Sequence, residues 1–144
     1  MKIGFLTDVD GYRAPIHPES IDKYSFDVHL EKNIFDYLNY ADSSLGNVKT
    51  ISKLSDLDIV ACVENIQDKT IKELKEGAVL IGIFDFDKIE EIKSLRSDIK
   101  VLSFFKLPRI SRAQNLDALS SQANLLGYAS VLRAAKETLS LIHI

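Results

Sequence analysis

The sequence contains little of what several common protein classes require. Its only cysteine is Cys62, which excludes an internal disulfide framework and a metal knuckle of the CxxC type, and which fits a reducing compartment. No segment approaches the roughly 18 to 20 uninterrupted apolar residues of a membrane-spanning helix. Asp8 stands where a signal peptide would be apolar. We therefore expect a soluble segment that is not exported by a signal peptide.

The chain also lacks a large excess of charge of either sign. Its 18 Lys and Arg residues against 21 Asp and Glu residues leave a net charge of −3, and the basic residues form no cluster. This balance argues against a nucleic-acid partner. Because 46% of the 144 residues are hydrophobic, the chain can build a core, and a disordered tail is not expected.

Glycine is scarce, and its spacing excludes one motif. A dinucleotide-binding domain carries a glycine-rich turn of the form GxGxxG between a strand and a helix. None of the six glycines forms that turn: Gly4, Gly11, Gly46, Gly77, Gly82 and Gly127. We expect the dinucleotide-gripping domain to be absent from this chain.

The first third of the sequence predicts strands joined by short helices. Residues 2–6 (KIGFL) form an apolar run that ends in a polar loop, and Pro15 and Pro18 precede a short helix, ESIDKY. Residues 25–31 (SFDVHLE) alternate as a strand does. Residues 32–41 (KNIFDYLNYA) instead place Ile34, Tyr37 and Leu38 on one helical face.

A clearer pattern begins at Asp56. Strands are predicted at 58–63 (DIVACV), 78–84 (AVLIGIF) and 100–105 (KVLSFF), the last buried on both faces. Between them we expect a helix capped by Asp68 and closed by Gly77, and another opened by Asp87. The pattern predicts a Rossmann-like or flavodoxin-like α/β domain with a mostly parallel, doubly wound sheet. A long helix from residue 116 or 117 to at least 137 follows.

Residues 108–128 (PRISRAQNLDALSSQANLLGY) concentrate polar side chains on a loop and a helix start. Arg109 and Arg112 offer planar donor forks, Gln114 donates and accepts, and Asp117 only accepts. Together they could hold a carboxamide and ribose hydroxyls. Ser120 lies on the same face of the first helical turn as Asp117. The alternative is that Asp117 caps the helix, the arginines are solvated and the serines serve helix packing.

This segment resembles the signature loop and following helix of the alpha subunits of proton-translocating NAD(P) transhydrogenase. The resembling pattern is PRISRAQ-x-x-DALSS-x-AN-x-x-GY, and elsewhere the chain is similar mainly in element order, with Arg13 before a Pro-bearing helix start. The resemblance implies that Arg109, Gln114 and Asp117 fix the nicotinamide ring and ribose of NAD(H). The implied binding set is Arg109, Ile110, Ser111, Arg112, Gln114, Asp117 and Ser120.

The same resemblance implies a reaction and partners. Hydride would pass directly from NADH on this subunit to NADP⁺ on a partner domain, coupled to proton movement through a membrane domain. The subunit would be a cytoplasmic homodimer, peripheral to the inner membrane through its partner subunits. Residues 1–138 would be the alanine dehydrogenase/transhydrogenase N-terminal domain of an incomplete fragment. Residues 139–144 (LSLIHI) depart from the family and match an adapter reading frame, so we expect them to be non-native.

Two other functions stay open. The alternative enzyme is an alanine dehydrogenase-like or saccharopine dehydrogenase-like oxidoreductase, and alanine dehydrogenases share the fold. In those enzymes the resemblance places a keto-acid-binding Lys where this chain has Cys62, and a His after the strand that here reads AVLIGIFDFD. This chain has neither residue, which argues against deamination. A non-catalytic α/β binding module is the other alternative. For His17 and His29 we expect structural or surface roles, and for Cys62 burial. Asp85 and Asp87 flank Phe86 as a metal-binding pair could, but we expect Asp87 to cap the next helix instead.

Overall fold

The computed structural model describes residues 1–9, 11, 13–23, 26–38, 48–108, 110 and 117–141. The chain divides into two compact units, Met1–Ser103 and Phe104–Ile144.

The first unit is built on a six-stranded sheet in which every pair of neighbouring strands is parallel. The strand order is β3-β2-β1-β4-β5-β6. This is the order of dinucleotide-binding Rossmann sheets, and the predicted parallel α/β fold is confirmed. The strands are β1 (Lys2–Phe5), β2 (Asp27–Leu30), β3 (Lys49–Thr50), β4 (Ile59–Ala61), β5 (Val79–Gly82) and β6 (Lys100–Ser103).

Short helices connect several of the strands, and a long helix follows the last one. The α-helices are α1 (Asp68–Glu73), α2 (Phe86–Leu95) and α3 (Ala118–Leu141). Turns of 3₁₀ helix occur at Pro18–Lys23, Asp36–Leu38, Leu54–Asp56 and Phe104–Lys106. The short helix expected after Pro18 therefore forms, as a 3₁₀ helix.

The sheet carries apolar residues in two separate core clusters. Phe5 packs against one cluster and its neighbour Leu6 belongs to the other, as expected where successive side chains of a strand point to opposite faces. The larger cluster includes Val60, Leu80, Ile71 and Ile92, each with no exposed surface. Helices α1 and α2 each contribute one of these isoleucines. Burying such a side chain stabilises the fold by about 1.5–3 kcal/mol.

The helix ends differ from two of the sequence predictions. Helix α2 begins at Phe86, and its cap is Asp85, whose carboxylate accepts the backbone N–H of Lys88 at 2.8 Å. Asp87 is therefore inside the helix and is not its cap. Helix α1 begins at Asp68 itself, and its N-cap position is Gln67, which makes no side-chain capping bond. Helix α1 ends at Glu73 with Leu74 as its C-cap, so Gly77, four residues beyond the last helical residue, does not close it. Gly77 has φ +70°, a left-handed conformation that glycine adopts without strain.

One arginine joins the turns that follow α1 and α2. Arg96 makes two bonds of 2.8 Å to the carboxylate of Asp98, and its Nη1 donates to the carbonyl of Leu74. The backbone N–H of Gly77 donates to the same carboxylate at 3.0 Å. These bonds hold the pKa of Asp98 below its ordinary value, and the bonds from the Arg96 guanidinium have the largest effect. Arg96 thus fixes the two turns to each other.

Strand β6 is not buried on both faces as the sequence predicted. It lies at the end of the described strand order, its residues alternate between exposed and half-buried, and Leu102 is 58% exposed. The chain then forms the 3₁₀ helix Phe104–Lys106 instead of continuing the strand. A continuous apolar run cannot distinguish a central strand from an edge strand, because both have the same local sequence preferences.

The segment between β2 and β4 also departs from the sequence prediction. Of the helix expected over residues 32–41, the structure has only the 3₁₀ turn Asp36–Leu38, and residues 39–47 lie outside the described residues. The two-residue strand β3 was not predicted. It is visible only through its pairing with β2, where His29 lies opposite Lys49.

The second unit contains the long helix α3, as predicted. Over residues 120–136 every side chain of this helix is exposed, including Leu125, Leu126, Tyr128 and Val131. No helix within the described ranges has the length and apolarity needed to cross a membrane.

Candidate functional site

The carboxyl ends of β1, β2 and β4 meet at one edge of the parallel sheet. Strand β1 pairs with β2 on one side and with β4 on the other, so the order of strands reverses at β1. In open parallel sheets ligands bind in the crevice outside the strand ends at such a reversal. The residues that follow these three strands are therefore the first candidates for a site.

Asp8, two residues beyond Leu6 in the loop after β1, is the most distinctive of them. It is 2% exposed and is the only charged side chain among the buried residues that the structure describes. Its Oδ1 accepts the backbone N–H groups of Glu64 at 2.9 Å and Asn65 at 3.2 Å. Its Oδ2 lies 2.6 Å from Nη2 of Arg13. One carboxylate thus ties the loop after β1 to the loop after β4.

The loop after β1 is closed on itself around Asp8. The N–H of Asp8 donates to the carbonyl of Arg13 at 3.0 Å, and the carbonyl of Asp8 accepts the N–H of Gly11 at 2.8 Å. Gly11 has φ +72°, which allows this tight turn. Arg13 reaches Glu64 as well, at 3.1 Å, and its side chain is 42% exposed. Asp8 is therefore a buried anchor with a half-exposed counter-ion.

Glu31 makes a second connection at the same edge. It follows β2, and its Oε2 accepts both the backbone N–H and the hydroxyl of Thr7, each at 2.7 Å. Neither Asp8 nor Glu31 was assigned a role from the sequence. An acidic residue in the loop that follows a strand is the signal that both share, because strand carboxyl ends are where a parallel sheet collects binding groups.

A crevice of about 800 Å³ opens along this edge. Its apolar surface comes from Leu6, Ile51, Leu54 and Ile66, and its polar surface includes Thr7, Glu31, Lys32, Ser52, Lys53, Ser55, Gln67 and Thr70. The volume lies within the range of small-molecule sites, about 300–1,000 Å³.

The second unit holds the part of the predicted nicotinamide site that the structure describes. Asp117 precedes α3, and its carboxylate accepts the backbone N–H of Ser120 at 3.0 Å and the hydroxyl of Ser120 at 2.6 Å. The structure therefore brings these two predicted residues together as a helix cap. Ile110 is 54% exposed. Four further predicted residues lie outside the described residues: Arg109, Ser111, Arg112 and Gln114.

The remaining candidates have structural surroundings. Cys62 is 3% exposed, and burial, with a smaller contribution from the charge of Asp8, raises the pKa of its thiol to about 12. His17 has an exposed side chain whose Nδ1 accepts the N–H of Glu19 at 3.4 Å. His29 is mostly buried, with its Nε2 3.3 Å from Asp27. These positions match the roles expected for a buried thiol and for two structural imidazoles.

Comparison with known proteins identifies the family. The model of the alanine dehydrogenase/PNT N-terminal domain matches residues 11–126. The chain is 37% identical over 130 residues to NAD(P) transhydrogenase subunit alpha of Haemophilus influenzae, covering 86% of this chain and 25% of the relative. It is 33% identical over 138 residues to an NAD(P) transhydrogenase alpha-subunit chain of Rickettsia prowazekii, covering 85% of this chain and 36% of the relative.

Solved structures agree with this assignment. The crystal structure of transhydrogenase from Sinorhizobium meliloti superposes with a TM-score of 0.82 at 30% identity, covering 95% of this chain and 45% of that one. An L-alanine dehydrogenase superposes with a TM-score of 0.63 over 77% of this chain and 35% of that one, at 15% identity, a level that shows the shared fold alone.

The chain thus spans a quarter to about a third of the length of the two curated relatives. The resemblance to transhydrogenase alpha subunits drawn from residues 108–128 is confirmed by these matches, which extend over most of the sequence. This chain belongs to the alanine dehydrogenase/PNT N-terminal domain family, with transhydrogenase alpha subunits among its relatives.

Proposed function

We propose that this chain forms a segment of the NAD(H)-binding subunit of a proton-translocating NAD(P) transhydrogenase. Hydride would pass directly between NADH on this subunit and NADP⁺ on a partner domain. The observation that carries the proposal is the match to transhydrogenase alpha subunits across residues that include the 108–128 segment. The working protein would be a cytoplasmic homodimer that reaches the membrane through its partner subunits.

The described portion of the site fits a nicotinamide nucleoside. A carboxylate held at a helix start is an acceptor for ribose hydroxyls or a carboxamide N–H, and Asp117 is such a group. The dinucleotide supplies the hydride chemistry when bound. The chain contributes positioning and charge, because no protein nucleophile is needed for direct transfer. The negative charge of Asp117 favours the ring form that carries positive charge.

The other predicted residues complete these roles. Arg109 would orient the ring or its carboxamide, and Gln114 would donate and accept toward the same groups. Ile110, Ser111, Arg112 and Ser120 would line the ring and ribose. This positioning matters because a misplacement of about 1 Å can cost about a hundredfold in rate.

One substitution separates the proposal from a purely structural role for Asp117. Asparagine is as good an N-cap as aspartate but carries no charge. Asp117→Asn in the full-length gene product should therefore leave the melting temperature nearly unchanged and lower the rate of NADP-analogue reduction by NADH at least about tenfold. Asp117→Ala should lower both, since it also loses a cap that contributes about 1 kcal/mol.

Ser120→Ala provides a matched control at the same helix start. It removes the hydroxyl that donates to Asp117 but keeps the backbone N–H bond, so a smaller loss of rate is expected. Normal turnover in Asp117→Asn would contradict the proposed role and leave Asp117 as a cap alone.

An alanine dehydrogenase-like activity is the alternative enzyme. The family resemblance places a cationic keto-acid ligand at position 62, where this chain has a buried thiol whose pKa is raised to about 12 and which stays neutral. Assaying the full-length product for alanine oxidation distinguishes the two reactions. Failure to bind either nucleotide would instead indicate a non-catalytic binding module.

A further inference from the structure

The crevice at the carboxyl edge of the sheet has its own chemistry, separate from the segment at residues 108–128. All the residues that line it belong to the first unit, Met1–Ser103. It opens where the strand order reverses at β1, the place where sheets of this order bind the nucleoside and phosphates of a dinucleotide. Two features decide which portion of such a ligand it can hold.

The first feature is Glu31. In sheets of this order an acidic residue about 20 positions beyond the first turn hydrogen-bonds a ribose hydroxyl. Glu31 follows β2 at that distance from Gly11, and it lines the crevice. Both bonds from Thr7 go to Oε2, so Oε1 is the acceptor that we assign to a ligand hydroxyl.

The second feature is Asp8, which takes the place of a ligand anion. A phosphate at such a crevice is held by backbone N–H groups and by a helix that starts directly after β1. Here the N–H groups of Glu64 and Asn65 already donate to the Asp8 carboxylate. The first helix that the structure describes after β1 is a 3₁₀ helix that starts only at Pro18. An added phosphate would find those donors already bonded to Asp8, whose carboxylate is also paired with Arg13.

The rest of the crevice combines apolar surface with hydroxyl groups and with two exposed lysines, Lys32 and Lys53. Leu6, Ile51, Leu54 and Ile66 provide apolar surface on which a flat ring can rest. Ser52 and Thr70 add hydroxyl groups that can both donate and accept. A ring with amino and ring-nitrogen groups is complementary to such a lining.

We propose that this crevice binds a ribonucleoside without phosphate, that Glu31 accepts its ribose hydroxyl, and that Asp8 excludes phosphorylated forms. The site goes beyond the proposed transhydrogenase function and does not depend on it. Its ligand class is a purine-type nucleoside, for which adenosine is the probe.

The test is a titration of the ¹⁵N-labelled 144-residue chain, followed by backbone N–H chemical shifts. Adenosine should shift Thr7, Glu31, Ser52 and Thr70 in a saturable way. The 2′,3′-dideoxy analogue should bind at least about tenfold more weakly, because it lacks the hydroxyls for Glu31. AMP should also bind at least about tenfold more weakly, because Asp8 already occupies the backbone donors that its phosphate would need.

Variants of the chain separate the two features. Glu31→Gln should weaken adenosine binding. Asp8→Asn should reduce the difference in affinity between adenosine and AMP. Glu90→Gln, on the exposed surface of α2, is the control and should change neither. If either site variant fails to fold, the three ligands on the unchanged chain still decide the question.

Saturable adenosine shifts at these residues, with both analogues weaker, would establish the site. No shifts at millimolar adenosine, equal binding of the dideoxy analogue, or AMP binding as tightly as adenosine would each overturn the proposal. Shifts confined to Asp117 and Ser120 would also overturn it, since they would report the proposed nicotinamide site instead.

Discussion

Asp8 offers a stringent test of how the loops at the sheet edge are held. Replacing it with asparagine keeps its shape and an Oδ1 acceptor but removes the charge that Arg13 and two backbone N–H groups now share. Hydrogen bonds to charged groups contribute about 1.5–3 kcal/mol, against about 1 kcal/mol for neutral ones. Two weakened bonds therefore cost about 1–4 kcal/mol.

The ion pair adds a smaller amount. The Arg13 side chain is 42% exposed and also contacts Glu64. In the Asp8→Asn variant it therefore keeps its contact with Glu64 and with water. Solvent screening at such a position limits the pair to about 1 kcal/mol. We expect Asp8→Asn to lower the free energy of unfolding by about 1–5 kcal/mol, a large share of the usual total of about 5–15 kcal/mol.

Urea denaturation followed by far-ultraviolet circular dichroism measures this loss. A lower midpoint with an unchanged slope would show that stability, and not the compactness of the unfolded chain, has changed. Glu64→Gln is the matched control, because it neutralises the exposed partner of the same arginine and should cost no more than about 0.5–1 kcal/mol. A loss below about 1 kcal/mol in Asp8→Asn, or an equal loss in both variants, would refute the assignment of Asp8 as the anchor.

Three further predictions concern acid stability, thiol reactivity and two glycines. Arg96 lowers the pKa of Asp98 in the folded protein. The ionised Asp98 side chain therefore stabilises the fold fully above its unfolded pKa of about 4. This stabilisation is lost as the pH falls through the lower pKa that Asp98 has in the folded state. Asp98→Asn should thus flatten the fall in melting temperature below about pH 4, and an unchanged acid profile would contradict this reasoning. The pKa of the Cys62 thiol is raised to about 12, so little reactive thiolate is present at about pH 8. Cys62 should therefore react with iodoacetamide at least about a hundredfold more slowly in the native protein than in urea. Similar rates would show that the thiol is accessible. Gly77→Ala should destabilise the chain by about 1 kcal/mol, since alanine is strained at φ +70°, whereas Gly127→Ala in the exposed helix α3 should increase helix stability by up to about 1 kcal/mol. Calorimetry measures the melting temperature of each variant. If both melting temperatures moved in the same direction, the explanation from backbone conformation would be contradicted.

The alternation of apolar runs and helical spacing was sufficient to predict the parallel α/β sheet and the long final helix. These features depend on local periodicity, which each segment carries by itself. The recognition of the family likewise rested on a contiguous segment, residues 108–128. Arg109, Gln114 and the other residues of that loop that lie outside the described residues stay predictions, as do the domain limits and the non-native origin of residues 139–144.

Features that depend on distant regions of the chain could not be predicted in this way. Strand β6 has the apolar sequence of a central strand but lies at the end of the strand order that the structure describes, because its place depends on which strands pair with it. The acidic residues show the same limit. In the sequence Asp8 is one of two aspartates in a polar loop, and it becomes a buried anchor because the fold brings it to the N–H of Glu64, 56 positions away. Partners so distant are chosen by the packing of the whole sheet, whereas local patterns specify only the elements that are packed.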